Sequence, residues 1–452
     1  MGCRWISFLL IFVMLAGCRS PSMISDPKDV QTFRDDEKTV ITFWHTYNEK
    51  ETRLLDNVLI PAFERENPNI QIKSIDLAFT NELINTLISR TSSKRGPDVV
   101  RLHIAWIPEF LYKELLEPLD GFGDFETVRK RFNTNLMNIG LYKNNYYSLP
   151  LNIYTKAPIF NRELLKSAGY FKPPSTMDEI LELARREQYT IGLRGLGPWD
   201  TIPYIYSLGG SFINEDANIA SGYLNSDETI HAVEQLTALY KENLIDLPQD
   251  ELGAEENWER IKAGNMLMTD DGPWFYGLLD ESEFDRALKL TFPVPFPQNN
   301  GPASLIGGEN LVIMKGSNRK AEAWTFMKWM TGKKAQLLLL EHTELIPTNL
   351  ETAKASTITR DSDSYLSPYR EDAKNAILLP LVKNWSKIDG VYTEYMNKIF
   401  EGELSVKEGL DRAAAEIDRL LEEDRGTGSS VPFQGRTILH ELGFIYFLIR
   451  SS

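Results

Sequence analysis

Beyond position 18 the 452-residue sequence contains no cysteine, since its two thiols are Cys3 and Cys18. Everything downstream must fold without an intrachain disulfide and hold itself by packing. Histidine is also scarce: five are scattered along the chain, no zinc-type spacing occurs, and neither a metal nor a cofactor is expected. The sequence lacks a Gly-x-Ser-x-Gly elbow, a His-Glu-x-x-His pair and a phosphate loop. Positive charge is short, with 49 Lys and Arg against 64 Asp and Glu and a net charge of −15, so a phosphate backbone would repel the chain and nucleic acid is not an expected partner. No apolar run reaches the roughly 20 residues of a membrane-spanning helix. Abundant instead are 22 Phe, 18 Tyr and 9 Trp, enough large apolar surface to build the core of two or three domains.

Both cysteines lie at the amino end. One basic residue, Arg4, precedes an apolar run from Trp5 to Leu15, and Leu15-Ala16-Gly17-Cys18 resembles the bacterial lipobox. The resemblance implies a signal peptide over 1–17, acylation of Cys18, and a lipid-anchored extracytoplasmic protein on the periplasmic side or outer face of the cell membrane. More than one acyl chain meets the requirement for stable anchoring. Residues 18–38, polar with Pro21, Pro27 and the charged run Arg34 to Lys38, read as a tether. Residues 425–452, which end in the apolar run Leu442 to Ile449, form an extension of unknown role.

Between these ends strands and helices alternate. Val40-Ile41-Thr42-Phe43-Trp44 is β-branched and aromatic, and Leu54, Leu55, Val58, Leu59, Ala62 and Phe63 follow at helical spacing. Pro61 is expected to bend that helix and Asn67-Pro68 to end it before a strand at Ile70 to Ile72. A helix near Leu83 and Leu87 leads to a third strand, Asp98 to Leu102. Further helices are expected over 177–186, 229–242, 321–330 and 411–421. This alternation predicts an α/β protein with a mostly parallel sheet covered on both faces.

Nine segments carry a family resemblance: Ile41-Thr-Phe-Trp-His-Thr-Tyr47, Phe63-Glu-Arg-Glu-Asn-Pro-Asn-Ile70, Gly96-Pro-Asp-Val-Val100, Leu149-Pro-Leu151, Phe160-Asn-Arg-Glu-Leu164, Pro173-Pro-Ser-Thr-Met-Asp-Glu179, Asp271-Gly-Pro-Trp274, Gly307-Gly308 and Ala321-Glu-Ala-Trp324. In this order, from about Thr39 to Glu423, they resemble the extracellular solute-binding proteins of ABC importers, in the group that includes maltose-binding protein. The resemblance implies a type II periplasmic-binding fold, with an amino lobe over 39–150 and 301–346 and a carboxyl lobe over 151–300 and 347–424. It also implies a monomer that takes one solute in the cleft, closes at a hinge and delivers the solute to permease subunits, without catalysis.

A sugar presents apolar pyranose faces and a rim of hydroxyls, so aromatic plates and short polar side chains are the expected lining. Trp44, His45 and Tyr47 sit at the carboxyl end of the first strand, and His103 and Trp106 follow the third, where ligands of open α/β sheets collect. Tyr154 lies just after the first crossing, where the resemblance implies a ligand contact, and Trp199 and Asp200 follow a Gly-Pro turn at a helix amino terminus, where Asp200 alternatively serves only as the cap and Trp199, by resemblance, faces the sugar. By resemblance Trp274 stacks on a sugar ring, Asp270 and Asp271 accept hydroxyl hydrogens, Glu309 follows the second crossing, and Trp385 and Asp389 come from the carboxyl lobe. Each of these residues also has a purely structural reading, as core, cap or turn. Carbohydrate is the leading solute. A glycerol phosphate ester would call on Arg101, Lys156 or Arg194, while a secreted carbohydrate-active enzyme or a surface receptor without transport are readings from other classes.

Overall fold

A computed structural model describes residues 38–248, 253–299, 301–355 and 365–425. The expectations for the signal peptide, for Cys18 and nearly all of its tether, and for residues 426–452 lie outside the described residues.

Two sheets organise two lobes. The larger has the strand order Ile346–Pro347, Ser148–Thr155, Leu305–Ile313, Val99–His103, Thr39–His45, Ile70–Asp76, with Ile377–Leu378 pairing beside Leu305–Ile306. The smaller runs Thr291–Pro293, Ala157–Asn161, Met268–Asp271, Ile191–Gly192, Ile245–Asp246. The three early strands are parallel, as their helix-linked order requires. The expectation of a mostly parallel sheet fails beyond them: Leu305–Ile313 enters between Val99–His103 and Ser148–Thr155 and is antiparallel to both. The chain reaches that position by returning from the other lobe, a connection that local periodicity does not encode.

The alternation of apolar residues places Ile41 and Phe43 fully inside one core cluster, with Phe63, Phe326 and Met327. The helical run Glu49–Glu66 is interrupted by a wider π turn over Leu55–Leu59, and Pro61 sits in the first turn of the segment that resumes at Ile60. Proline has no N–H and its ring crowds the preceding turn, so the wider turn accommodates it where a regular helix would bend. At the start of this run Asn48 accepts the Glu51 N–H at 2.9 Å and Glu51 accepts the Asn48 N–H at 3.0 Å, a reciprocal cap. Asn48→Ala is expected to cost about 0.5–2 kcal/mol, read as a lower urea midpoint with an unchanged slope; no loss would mean that packing alone fixes the helix start.

In the second lobe the expected helices appear at Met177–Glu187 and Asp227–Lys241, and the last is longer than its propensity suggested, Val406–Arg425, packed along Trp385–Phe400. None of the described helices is long and apolar enough to cross a membrane.

Candidate functional site

Strand periodicity builds the amino-lobe wall. Side chains two apart share a face, which groups Arg101 with His103, Asn152 with Tyr154, and Gly307 with Glu309 on neighbouring strands. Register then sets His103 and Asn152 on either side of Glu309, and Tyr154 opposite Gly307. Glu309 accepts from Arg101 at 2.6 Å, from the Asn152 amide at 2.7 Å and from the Tyr154 hydroxyl at 3.2 Å. The pairing slips by one residue between Glu309 and Asn310, the irregularity that re-aims side chains at such sites. Gly307 is a steric requirement, because a Cβ there would lie 2.3 Å from the Tyr154 ring.

Arg101 also donates to the Thr46 carbonyl and hydroxyl, at 3.2 and 3.0 Å, and lies 4.2 Å from the centre of the Tyr47 ring. Arg101 and Glu309 are only 4% and 5% exposed at their side chains. Glu51 lies in the same field, and burial raises its carboxyl to about 7 against the pull of Arg101. Burial holds His45 and His103 down to about 4, with Arg101 adding to the effect, so both are neutral at physiological pH. His45 Nδ1 lies 3.8 Å from Asp76, while His103 Nδ1 accepts the Ala105 N–H at 3.3 Å and caps the turn that carries Trp106.

The opposing wall starts one residue past the large sheet. Lys156, buried, donates to the Trp199 carbonyl at 2.8 Å, pairs with Asp270 and stands 3.9 Å from Asp200. The cap of the helix Pro198–Ser207 is Gly197, not Asp200, so Asp200 is free of that role and reaches toward Lys156. Asp270 and Asp271, adjacent on a strand, point to opposite faces. Asp270 accepts the Tyr204 hydroxyl at 2.7 Å, and Asp271 accepts the Trp258 indole N–H at 2.7 Å.

Three rings join the walls. Tyr154 meets Trp199 edge-on at 6.0 Å and Trp274 at 5.2 Å, with interplanar angles of 82° and 87°. Both distances lie in the range of favourable aromatic pairs.

Burial divides the fourteen candidates. His103, Tyr154, Trp199, Asp200, Trp274 and Asp389 are half-buried and keep part of their surface open. Tyr47, Glu309, Asp270 and Asp271 are buried beneath them, Tyr47 with the Arg101 guanidinium over its ring and the three carboxylates with donors supplied from within the protein. The expectation that Asp270 and Asp271 receive hydroxyls is replaced by a supporting role, since indole, phenol and ammonium groups already occupy them. His45 is buried under Phe43 and Tyr47. Trp44 packs in the core beneath the Arg90 guanidinium, and Trp385 packs edge-on against Phe212, so both are core residues. Trp106 is buried on one side by a residue that sequence reasoning passed over: Phe79, 54% exposed, stacks on it at 4.7 Å and 11°. Phe79 follows the second strand by three residues, as Trp106 follows the third, so the signal was present. Arg101 and Lys156 are buried ion-pair anchors and not solvated charges; Arg194 is exposed.

Burial pushes the Asp389 carboxyl up to about 6, against a hydrogen bond from Thr393 at 3.2 Å and with a contribution from Asp200. The folded state therefore holds this proton more tightly than the unfolded chain, and the contribution of Asp389 to stability falls as pH rises from about 4 to about 6. Asp389→Asn is expected to flatten the melting temperature over that interval and to raise it relative to the native chain at pH 7. Parallel pH profiles for the two proteins would remove Asp389 as the source.

Among the described residues no group of His, Cys, Asp and Glu is arranged to hold a metal ion. The family model for bacterial extracellular solute-binding proteins matches residues 59–364. The multiple sugar-binding protein of Streptococcus mutans is 24% identical over 350 residues, which is 72% of this chain and 77% of that protein. The GacH receptor of Streptomyces glaucescens, solved unliganded and with acarbose, superposes with a TM-score of 0.76 at 23% identity, over 85% of this chain and 99% of that one. A solute-binding protein of an ABC transporter from Thermotoga lettingae, bound with alpha-D-tagatose, gives 0.72 at 22% identity over 85% and 100%.

Proposed function

Because the chain belongs to the family of bacterial extracellular solute-binding proteins, we propose that it captures a saccharide between its two lobes and delivers it to the permease subunits of an ABC importer. The observation that carries this reading is the meeting of Tyr154, from the large sheet, with Trp199 and Trp274, from the other lobe. Pyranose faces stack on such rings, and the half-buried His103, Asp200 and Asp389 supply polar contacts for hydroxyls. The fold and the relatives are those of binding proteins and not of enzymes.

A glycerol phosphate ester fits less well, because Arg101 is committed to Glu309 and Lys156 to Asp270. The solute's contacts with both lobes favour the closed state, and closure is what the permease reads. The lobes proposed are 39–150 with 301–346 and 151–300 with 347–424; the large-sheet strand Ser148–Thr155 runs across the first limit, and the passage from Pro293 to Leu305 spans the second. The binding protein acts as a monomer, held at the membrane by lipid on Cys18.

Thermal shift of the soluble chain tests the reading against neutral mono- and oligosaccharides, polyols and glycerol phosphate esters. Ligand at a hundred times its Kd adds about 2.7 kcal/mol of stability. A saccharide is expected to raise the melting temperature and to be recovered uncleaved. A shift with the phosphate esters alone would replace the carbohydrate assignment.

A further inference from the structure

The helix Pro198–Ser207 carries Trp199 and Asp200 in its first turn, and at its other end lies a separate cavity of 530 Å³. Tyr154, Trp199, Trp274 and Asp389 do not line it. Ten helical residues span about 15 Å, so the two ends of this helix serve two distinct places. The volume lies within the ~300–1,000 Å³ of small-molecule sites.

The lining has a definite chemistry. Phe212 and Leu379 are buried and form an apolar floor, Tyr206 and Tyr223 contribute rings, and Asp216 and Asn375 supply carboxylate and amide groups, while the Asn214 amide holds the loop through Asn218 and Ile219. Among the described residues no Lys or Arg lines the cavity, which disfavours anionic ligands. Ring surfaces beside a rim of hydrogen-bonding groups complement a pyranose with its apolar faces and equatorial hydroxyls.

The position of the cavity matters as much as its lining. One side is Asn299, Gly301 and Pro302, on the passage that enters the long strand Leu305–Ile313. Another side includes Ile377 and Leu378, which pair with Leu305 and Ile306 at the start of that strand. An occupant therefore bears on the segments through which the chain crosses between sheets and on the helix that presents Trp199.

We propose that this cavity is a second saccharide site, distinct from the cleft and seated against the hinge. The inference rests on the saccharide reading of the cleft. Calorimetric titration of the lipid-free chain with each sugar that gives a thermal shift is expected to show two sites per chain. Tyr223→Ala, which removes an exposed ring, and Asn375→Trp, which blocks the mouth from an exposed rim position, should each weaken one site at least tenfold and leave the other. Trp274→Ala should do the reverse, and unchanged near-ultraviolet spectra would verify folding of the two cavity variants. One site per chain for every bound sugar, or two sites surviving in both cavity variants, overturns this inference while the cleft reading stands. Absence of binding by any sugar overturns both.

Discussion

Replacing Arg101 by Met is expected to destabilise the protein by about 3–5 kcal/mol, the range for removing one partner of a buried ion pair. The magnitude follows from what would be left behind. Glu309 would lose its 2.6 Å partner while remaining 4% exposed, and Glu51, already raised to about 7 by burial, would lose the cation that favours its charge. The Thr46 hydroxyl and carbonyl would lose a donor and the Tyr47 ring its covering guanidinium. Denaturant unfolding measures the loss. Arg101→Met combined with Glu309→Gln should recover a large part of it, because the stranded charge, rather than the missing attraction, dominates such penalties. A single-variant cost below about 1 kcal/mol, the usual size for an exposed pair, would show that water reaches Glu309 and that the wall is not dry.

Trp274→Ala is expected to weaken saccharide binding by about 1–3 kcal/mol, by analogy with stacking of bases on aromatic side chains, or roughly 5- to 150-fold in Kd. Trp274 is half-buried, so most of the loss should appear in binding and less in stability. Its ring also braces Tyr154 edge-on at 5.2 Å, and Gly272 leaves room for it, since a Cβ there would fall 2.1 Å from the indole. Titration of the folded variant gives the result directly. Unchanged affinity with an unchanged melting temperature would remove Trp274 from the site and shift attention to the Phe79 and Trp106 stack.

How far the sequence disclosed this arrangement depended on distance along the chain. Helix faces and strands came from neighbours: Ile41 and Phe43 alternate, and Leu54, Leu55, Leu59 and Phe63 recur at helical spacing, so local periodicity found them. Trp199 and Trp274 came from family resemblance, which records position in the fold but not exposure. Trp44 and Trp385 show the limit of aromatic identity as a signal, since a tryptophan at a strand end or at a helix start suits a core as well as a cleft, and only the packing partners Arg90 and Phe212 distinguish them. Arg101 and Lys156 were legible only as candidate phosphate ligands, and Asn152 not at all, because their meaning lies in partners remote in sequence. Arg101 and Glu309 are 208 positions apart, and no spacing rule reaches that far. The same holds for Asp270 and Asp271, whose neighbouring carboxylates serve opposite faces of one strand.

That separation also sets a timetable. The strand Leu305–Ile313 fills the gap between Val99–His103 and Ser148–Thr155, so the amino lobe cannot complete its sheet until two-thirds of the chain has been made. During synthesis the early strands wait with unpaired edges, and the polar cluster around residue 101 waits without its acid. Closing so long a loop costs entropy before any contact repays it, which makes folding slow and late. For a member of an extracellular family such lateness is useful, because a chain that folds late stays threadable for longer.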